Sequence, residues 1–273
     1  DLDGLGFEDQ SLRVFRRGIH RPFGIVLVTG PSGSGKTTTL YSALTELNDI
    51  GVNIMTAENP VEYNLKGVNQ VQMNPEVGLT FANALRAYLR QDPDIIMVGE
   101  IRDQETSEIA IRAALTGHLV LSTTHTNDAP STINRLVDIG TEPYMLSTSL
   151  ACVASQRLIR KICPECKTPV EISEEAMEEA GVPPERLEGV TFYEGTGCAA
   201  CNNTGYKGRI GIFEVMPIDE EIRGLIETDA NSIQIEEAAM KKGMVNLRES
   251  ALRKLERGET TFEEVVRETV ANI

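Results

Sequence analysis

The run Gly30-Pro-Ser-Gly-Ser-Gly-Lys36-Thr37 constrains this chain more than any other feature, because it follows the apolar stretch Ile25–Val28 directly and leads into a helix-like segment. It reads as a phosphate-binding loop at a strand-to-helix junction. Gly30, Gly33 and Gly35 permit backbone angles that a Cβ would forbid. Successive N–H groups through Ser32, Ser34 and on to Thr38 can therefore converge on the oxygens of a nucleoside triphosphate. Lys36 supplies a point charge for the β- and γ-phosphates, and Thr37 offers a hydroxyl to Mg²⁺. The alternative is a flexible Gly/Ser loop. At ordinary residue frequencies the pattern arises by chance in roughly one chain of this length in a hundred, and the flanking strand and helix signals lower that further.

Downstream of the loop, Leu40, Ala43, Leu44 and Leu47 recur at helical spacing up to Gly51. A short strand is expected over 53–56. Thr80 can cap a helix carrying Phe81, Ala84, Leu85 and Tyr88, followed by the apolar strand Ile95–Val98. A helix over 104–115 stops at Gly117, a strand covers 119–122, and Asp128 with Pro130 opens another helix that closes at Gly140. Alternating helices and strands, each strand apolar on both faces, predict an α/β fold with a mainly parallel sheet covered on both sides. Beyond Arg160 the pattern changes: a Glu-rich stretch, Glu171 to Glu188, leads through Gly-rich sequence to a short strand over 209–215. Helices then follow over 231–242 and 247–257, and a last one opens at the capping box Thr261-x-x-Glu264. Two units are expected, a nucleotide-binding core and a mostly helical appendage.

The length of 273 residues allows a sizeable core and more than one domain. A formal charge of −15 repels phosphate backbones and argues against nucleic acid as the main partner. No apolar stretch approaches membrane-spanning length, and Asp1-Leu-Asp-Gly lacks the order of a signal peptide, so a cytosolic protein is expected. The start, without Met or a clear first element, suggests a piece cut from a longer protein. The cysteines speak through spacing. Cys163-Pro-Glu-Cys166 and Cys198-Ala-Ala-Cys201 form two knuckles that can present four thiolates to one Zn²⁺ in a closed structural site. Disulfides and unpaired buried cysteines are the alternatives. Cys152, in an apolar run, reads as core packing.

Turnover of a nucleotide needs an acid to organise Mg²⁺ and a group to position water. Glu100 ends the strand Ile95–Val98, read as a neighbour of the phosphate loop at the strand end where open α/β sheets bind ligands. Glu58 and Glu62 follow the strand ending at Thr56 and project from the same edge. Either could polarise the lytic water, or the two could form a solvated loop pair. His118 and His125 flank the next strand; an imidazole there can sense a γ-phosphate, or serve structure alone. Arg86 and Arg90 lie four apart on one helical face and, with Arg102, are candidates for phosphate charge compensation. Pairing with Asp92, Asp94 or Asp103 is the alternative. A small-molecule kinase and a nucleotide-gated assembly switch share part of this pattern, but the kinase gives the histidines and cysteines no role.

Four motifs in order complete a known pattern. The phosphate loop, Glu58-Asn-Pro-Val-Glu62, the stretch Asp92 to Asp103, and Thr116-Gly-His118 through His125-Thr-Asn-Asp128 together resemble the secretion ATPase superfamily of type II secretion and type IV pilus motors. The resemblance runs from about Phe15 to the C-terminus. It implies a RecA-like P-loop core that hydrolyses ATP as a homohexamer, with Lys36 and Thr37 on phosphate and Mg²⁺. Glu100 is then the Walker B acid, Glu58 and Glu62 the Asp-box acids, and His118 and His125 the His-box residues. The cysteines resemble the family's zinc motif, carried by extension and secretion motors and usually lacking in retraction motors. The wording of Leu89–Asp94 and Asn127–Thr132 is closer to the pilus-assembly branch; type II secretion is the alternative. Asn59 stands where the family usually has Asp, shifting weight to Glu58 and Glu62, and Thr124 where it usually has Leu. The implied partner is an inner-membrane platform protein, reached from the cytoplasmic face without direct membrane insertion. The expected division is a linker remnant of a missing N-terminal domain over 1–20, the ATPase core over 21–160, a tetracysteine zinc subdomain over 161–210 and a helical subdomain over 211–273. The family's trans-acting arginines belong to that preceding domain, so a chain without it is expected to bind ATP and hydrolyse it poorly.

Overall fold

A computed structural model of the chain describes residues 1–269. In chain order the elements are α1 (Asp9–Ile19), β1 (Gly24–Thr29), α2 (Lys36–Leu47), β2 (Ile54–Glu58), β3 (Asn69–Gln72), α3 (Phe81–Tyr88) and β4 (Ile95–Val98). Next come α4 (Gln104–Leu115), β5 (Leu119–Thr124), α5 (Ala129–Asp138), α6 (Pro143–Ser149), β6 (Leu150–Ile162), β7 (Lys167–Val170) and α7 (Glu174–Glu179). The remainder is β8 (Phe192–Gly195), β9 (Tyr206–Pro217), α8 (Glu220–Glu227), α9 (Ser232–Lys241), α10 (Leu247–Glu256) and α11 (Phe262–Thr269).

Seven strands form one sheet in the order β3-β2-β4-β5-β1-β6-β9. The pairs β2·β3, β2·β4, β4·β5, β1·β5 and β1·β6 are all parallel. Successive side chains of a strand point to opposite faces, and here both faces are apolar. Ile25, Leu27, Ile96, Val98 and Val120 pack into one cluster with residues of α3, α4 and α5. The alternate residues Val26, Val28, Ile95, Met97, Leu119 and Leu121 pack into a second with α1 and α2. Burying each such side chain contributes about 1.5–3 kcal/mol, which fixes the register and so the strand ends that carry the chemistry.

The chain divides into two compact units, residues 1–156 with 213–245, and residues 157–212 with those from Asn246 onward. These units cut the chain differently from the expected segments. Residues 1–20 are not a bare linker: α1 buries Phe15 and Ile19 completely in the core of the first unit. The segment 213–245 belongs to that unit too, because Ile218, Ile222, Ile226 and Ile235 join its core. The second unit is not mainly helical. Beside α7, α10 and α11 it holds the antiparallel pair β7·β8 and the outer portions of β6 and β9, around a core of Ile159, Phe192, Ile212, Leu252 and Val265. Residues 270–273 of the expected helical subdomain lie outside the described residues.

Candidate functional site

Because β1, β2, β4 and β5 run parallel, their C-terminal ends share one edge of the sheet, and the chain leaves them at Gly30, Asn59, Gly99 and His125. Gly30, Gly33 and Gly35 adopt φ of 152°, 78° and 89°. At Gly30 an added Cβ would lie 2.4 Å from the Gln156 carbonyl oxygen, whereas at Gly33 it would meet open space. Gly35 is the N-cap of α2 and offers no side-chain cap, while α3, α4 and α5 are capped by Thr80, Asp103 and Asp128. The first N–H groups of α2 are thus left to an anion. The hydroxyl of Ser34 is buried there without a hydrogen-bond partner. Open space over Gly33, unclaimed amides and an orphaned buried hydroxyl together fit a phosphate chain. Gln156 braces the loop from β6, donating through Nε2 to the Ser34 carbonyl at 2.6 Å and accepting from Thr39 Oγ1 at 2.6 Å. Nothing in the sequence pattern pointed to Gln156.

One cavity at this edge is lined by Lys36, Thr37, Glu58, Glu62, Phe81, Glu100, Thr123 and His125, among others. The Lys36 ammonium donates to the carbonyls of Gly30 and Pro31 and to His125 Nδ1, the last at 3.0 Å. Burial lowers its pKa from the usual lysine value, and the negative charge of Glu100 opposes that shift. His125 Nε2 lies 3.3 Å from Glu100 Oε2. A neutral imidazole with its proton on Nε2 satisfies both contacts, accepting from Lys36 and donating to Glu100. Arg102 completes the chain, 3.4 Å from Glu100 Oε1.

The strand of Glu100 is not the immediate neighbour of the phosphate-loop strand. β5 lies between β4 and β1, and this interposition lets His125 at its end bridge Lys36 and Glu100.

β2 extends two residues beyond its expected end, so Glu58 closes the strand and is buried, 3% exposed. Its carboxylate accepts from Tyr41 Oη, from Thr56 Oγ1 at 2.6 Å and from Gln70 Nε2 at 3.2 Å. Glu62 is exposed at the rim of the cavity. Burial, and then the hydrogen bond to Glu58, push the Tyr41 phenol up to about 12. Thr37 lines the cavity one residue into α2. Ser32 and Thr38 are exposed on the loop and on the same helix.

Three of the expected residues lie away from this cavity. His118 precedes β5 and His125 follows it; at about 3.3 Å per residue the strand separates them by roughly 20 Å. His118 instead faces the end of α4, with Nδ1 2.8 Å from the Ala113 carbonyl oxygen. Arg86 pairs with Glu105 and with Asn83. Arg90 lies beyond the end of α3, two residues past Tyr88, and does not line the cavity. The first two residues therefore have structural partners.

In the second unit, Cys163, Cys166, Cys198 and Cys201 bring their sulfurs within 4.8 Å of one another. The Cys163–Cys198, Cys166–Cys201 and Cys198–Cys201 separations are 3.8, 3.8 and 3.7 Å. Disulfides are excluded at such distances. A tetrahedral ion with metal–sulfur bonds of about 2.3 Å has edges of about 3.8 Å, so the four donors fit a thiophilic metal. Backbone N–H groups of Gly197, Cys198 and Gly205 donate to the sulfurs of Cys166 and Cys201 at 3.2 to 3.3 Å. Burial opposes ionisation of Cys201, yet the hydrogen bonds it receives from the Cys198 and Gly205 amides hold it down to about 6. Cys152 is apart from the cluster, 1% exposed in β6.

Comparison with known proteins places these features in context. The family model described as type II/IV secretion system protein matches residues 1–267. The chain is 55% identical to the type IV pilus assembly ATPase PilB of Myxococcus xanthus, over 98% of this chain and 48% of that protein. It is 50% identical to the type II secretion system protein E of Dickeya dadantii, over 98% of this chain and 53% of that protein. It thus spans about half the length of these two relatives. A crystal structure of the pilus retraction motor PilT with bound ADP is similar at a TM-score of 0.71 and 33% identity, over 98% of this chain and 66% of that one.

Proposed function

This chain belongs to the type II/IV secretion system protein family, and from that premise we propose that it is the ATP-hydrolysing core of a motor for type IV pilus assembly. The observation that carries the reading is the continuous contact Lys36–His125–Glu100 across three strand ends, directly beside a phosphate loop with free amides. Lys36, with the amides of the first turn of α2, would hold the triphosphate. Thr37, with Glu100, would hold Mg²⁺, which when bound neutralises phosphate charge and orients the terminal phosphoryl group. Glu100 would take up or orient the proton of the attacking water, and Glu58 is a second acid at the cavity wall that accepts from three donors. His125 contacts both the phosphate-side cation and the water-side acid, so loss of the terminal phosphate is felt at Glu100 through one imidazole.

Substituting Glu100→Gln keeps size and removes the charge. In the full-length protein it should retain nucleotide binding and lower phosphate release by 10²-fold or more. Unchanged release would remove Glu100 from the chemistry, and release that depends on an added acceptor would favour a kinase.

The cysteine quartet supports zinc as a structural ion in the second unit, held by Cys163, Cys166, Cys198 and Cys201. The same quartet favours an assembly or secretion motor over a retraction motor. The working assembly would be a homohexamer on the cytoplasmic face of the inner membrane, pushing on a platform protein to insert pilin subunits. Among the described residues no helix is long and apolar enough to cross a membrane. Type II secretion is the second reading, supported by the 50% identity to a type II secretion system protein E, close to the 55% to a pilus assembly ATPase. Disruption of the gene separates them: loss of surface fibres supports assembly, and blocked export of folded enzymes supports secretion.

A further inference from the structure

Tyr41 carries no motif, yet its hydroxyl stands where three parts of the candidate site meet. It lies on α2 four residues after Thr37, so the two side chains share a helix face. Its ring is 1% exposed and packs edge-on against Tyr63, with centroids 4.8 Å apart. Its Oη donates to Glu58 Oε1 at the end of β2. The same oxygen accepts from the backbone N–H of Glu62 at 3.2 Å, and Gln70 Nε2 of β3 approaches it at 3.4 Å. Gln70 also donates to the Tyr63 carbonyl at 3.1 Å and accepts from the Leu65 N–H at 2.6 Å, so the 59–65 turn closes onto the same point.

We infer that Tyr41 is a positioning residue of the nucleotide site, its hydroxyl tying the Glu58 carboxylate and the Glu62 turn to the helix that carries Lys36 and Thr37. The inference rests on the reading of Glu58 as an acid of the hydrolytic site. A phenol whose pKa is raised to about 12 stays a donor throughout the working range. It therefore fixes Glu58 Oε1 relative to the helix that carries Thr37. The packing of the ring is separate from this role and survives in phenylalanine, which removes only the oxygen. Without that oxygen Glu58 loses one of its three donors and the Glu62 amide loses its acceptor.

The test compares Tyr41→Phe, Glu58→Gln and the double variant in the full-length protein, by steady-state ATP hydrolysis and by nucleotide titration. A hydrogen bond to a charged group is typically worth a factor of about ten or more. Tyr41→Phe should lower kcat by about tenfold and leave KM for ATP within about twofold. In the Glu58→Gln background the same change should add little, the mark of two groups acting together. Normal kcat in Tyr41→Phe, with Glu58→Gln inactive, would overturn the inference while sparing the reading of Glu58. Full activity in Glu58→Gln would overturn both. Loss confined to KM or to thermal stability would assign Tyr41 to packing and overturn the positioning role.

Discussion

The phosphate-loop edge and the cysteine cluster each bring ligand-binding groups together, but by different means. At the loop edge, the groups follow four parallel strand ends and are spread from residue 36 to residue 125: Lys36, Glu58, Glu100 and His125. They are held by a sheet buried on both faces, so the site is a by-product of a core that stands without a ligand. The cysteines come from two local knuckles, oriented by a few backbone N–H···S contacts beside the smaller core of Ile159, Met177, Phe192 and Leu252. One region binds with what the fold leaves unsatisfied, whereas the other needs its ligand to hold four like donors together.

That contrast is broken most directly by taking the metal away. Structural zinc in small peptides contributes about 10 to 16 kcal/mol, so Cys166→Ser, or chelation under reducing conditions, should produce the largest loss of stability of any change considered. Thermal unfolding should show an early transition for the second unit, while calorimetric titration still detects nucleotide. Protein free of metal by elemental analysis, or a Cys166→Ser variant melting like the parent, would remove the distinction between the regions. Loss of nucleotide binding together with the metal would show that the two sites are not independent.

Within the loop edge, Gly30 and Gly33 separate backbone support from ligand access. Gly30→Ala drives a methyl to 2.4 Å from the Gln156 carbonyl oxygen and 2.6 Å from Ser34 Oγ at a φ of 152°. It should cost about 3 kcal/mol or more of stability, read as a lower unfolding midpoint in denaturant. Gly33→Ala meets open space, so only its φ of 78° opposes it, at about 1–2 kcal/mol. Its methyl occupies room a phosphate would use, and nucleotide affinity should fall more than stability. Equal stability losses would mean that the loop tolerates both positions alike and that the close approach to β6 carries no weight.

The loop edge was the more legible region because its motifs mark strand ends, and apolar runs of four to six residues identify the strands themselves. What escaped was long-range placement. His118 and His125 are near in sequence, but a strand between them sends them to opposite edges, which their spacing alone does not reveal. The interposed strand β5 depends on sheet order, and no local pattern specifies that order. Tyr41 belongs to no motif, and an aromatic residue on a buried helix face shows its hydroxyl's partners only once β2 and β3 are in place. Apart from the strand expected over 209–215, the second unit was read as mostly helical because β7 and β8 are four residues each with few buried side chains, and because the outer part of β6 lacks a continuous apolar run.

Alkaline pH offers the gentlest test, and it acts on the loop edge through its phenols. Burial raises Tyr41 and Tyr88 from the usual 10 to about 12. Tyr88 donates to the Thr56 carbonyl at 2.6 Å, so both phenols brace β2. Between about pH 10 and 12 the unfolded chain has released these protons and the folded chain has not, so the folded state binds more protons and stability falls as pH rises. Below pH 10 the contribution is fully present. Denaturant midpoints at pH 9, 10.5 and 11.5 (roughly bracketing that window) should therefore decline in the parent and decline less in Tyr41→Phe, which has one such proton fewer to lose. An identical decline in the two proteins would mean that the Tyr41 proton is held no more tightly in the fold than in the unfolded chain, and the donor that anchors Glu58 would lose its thermodynamic basis.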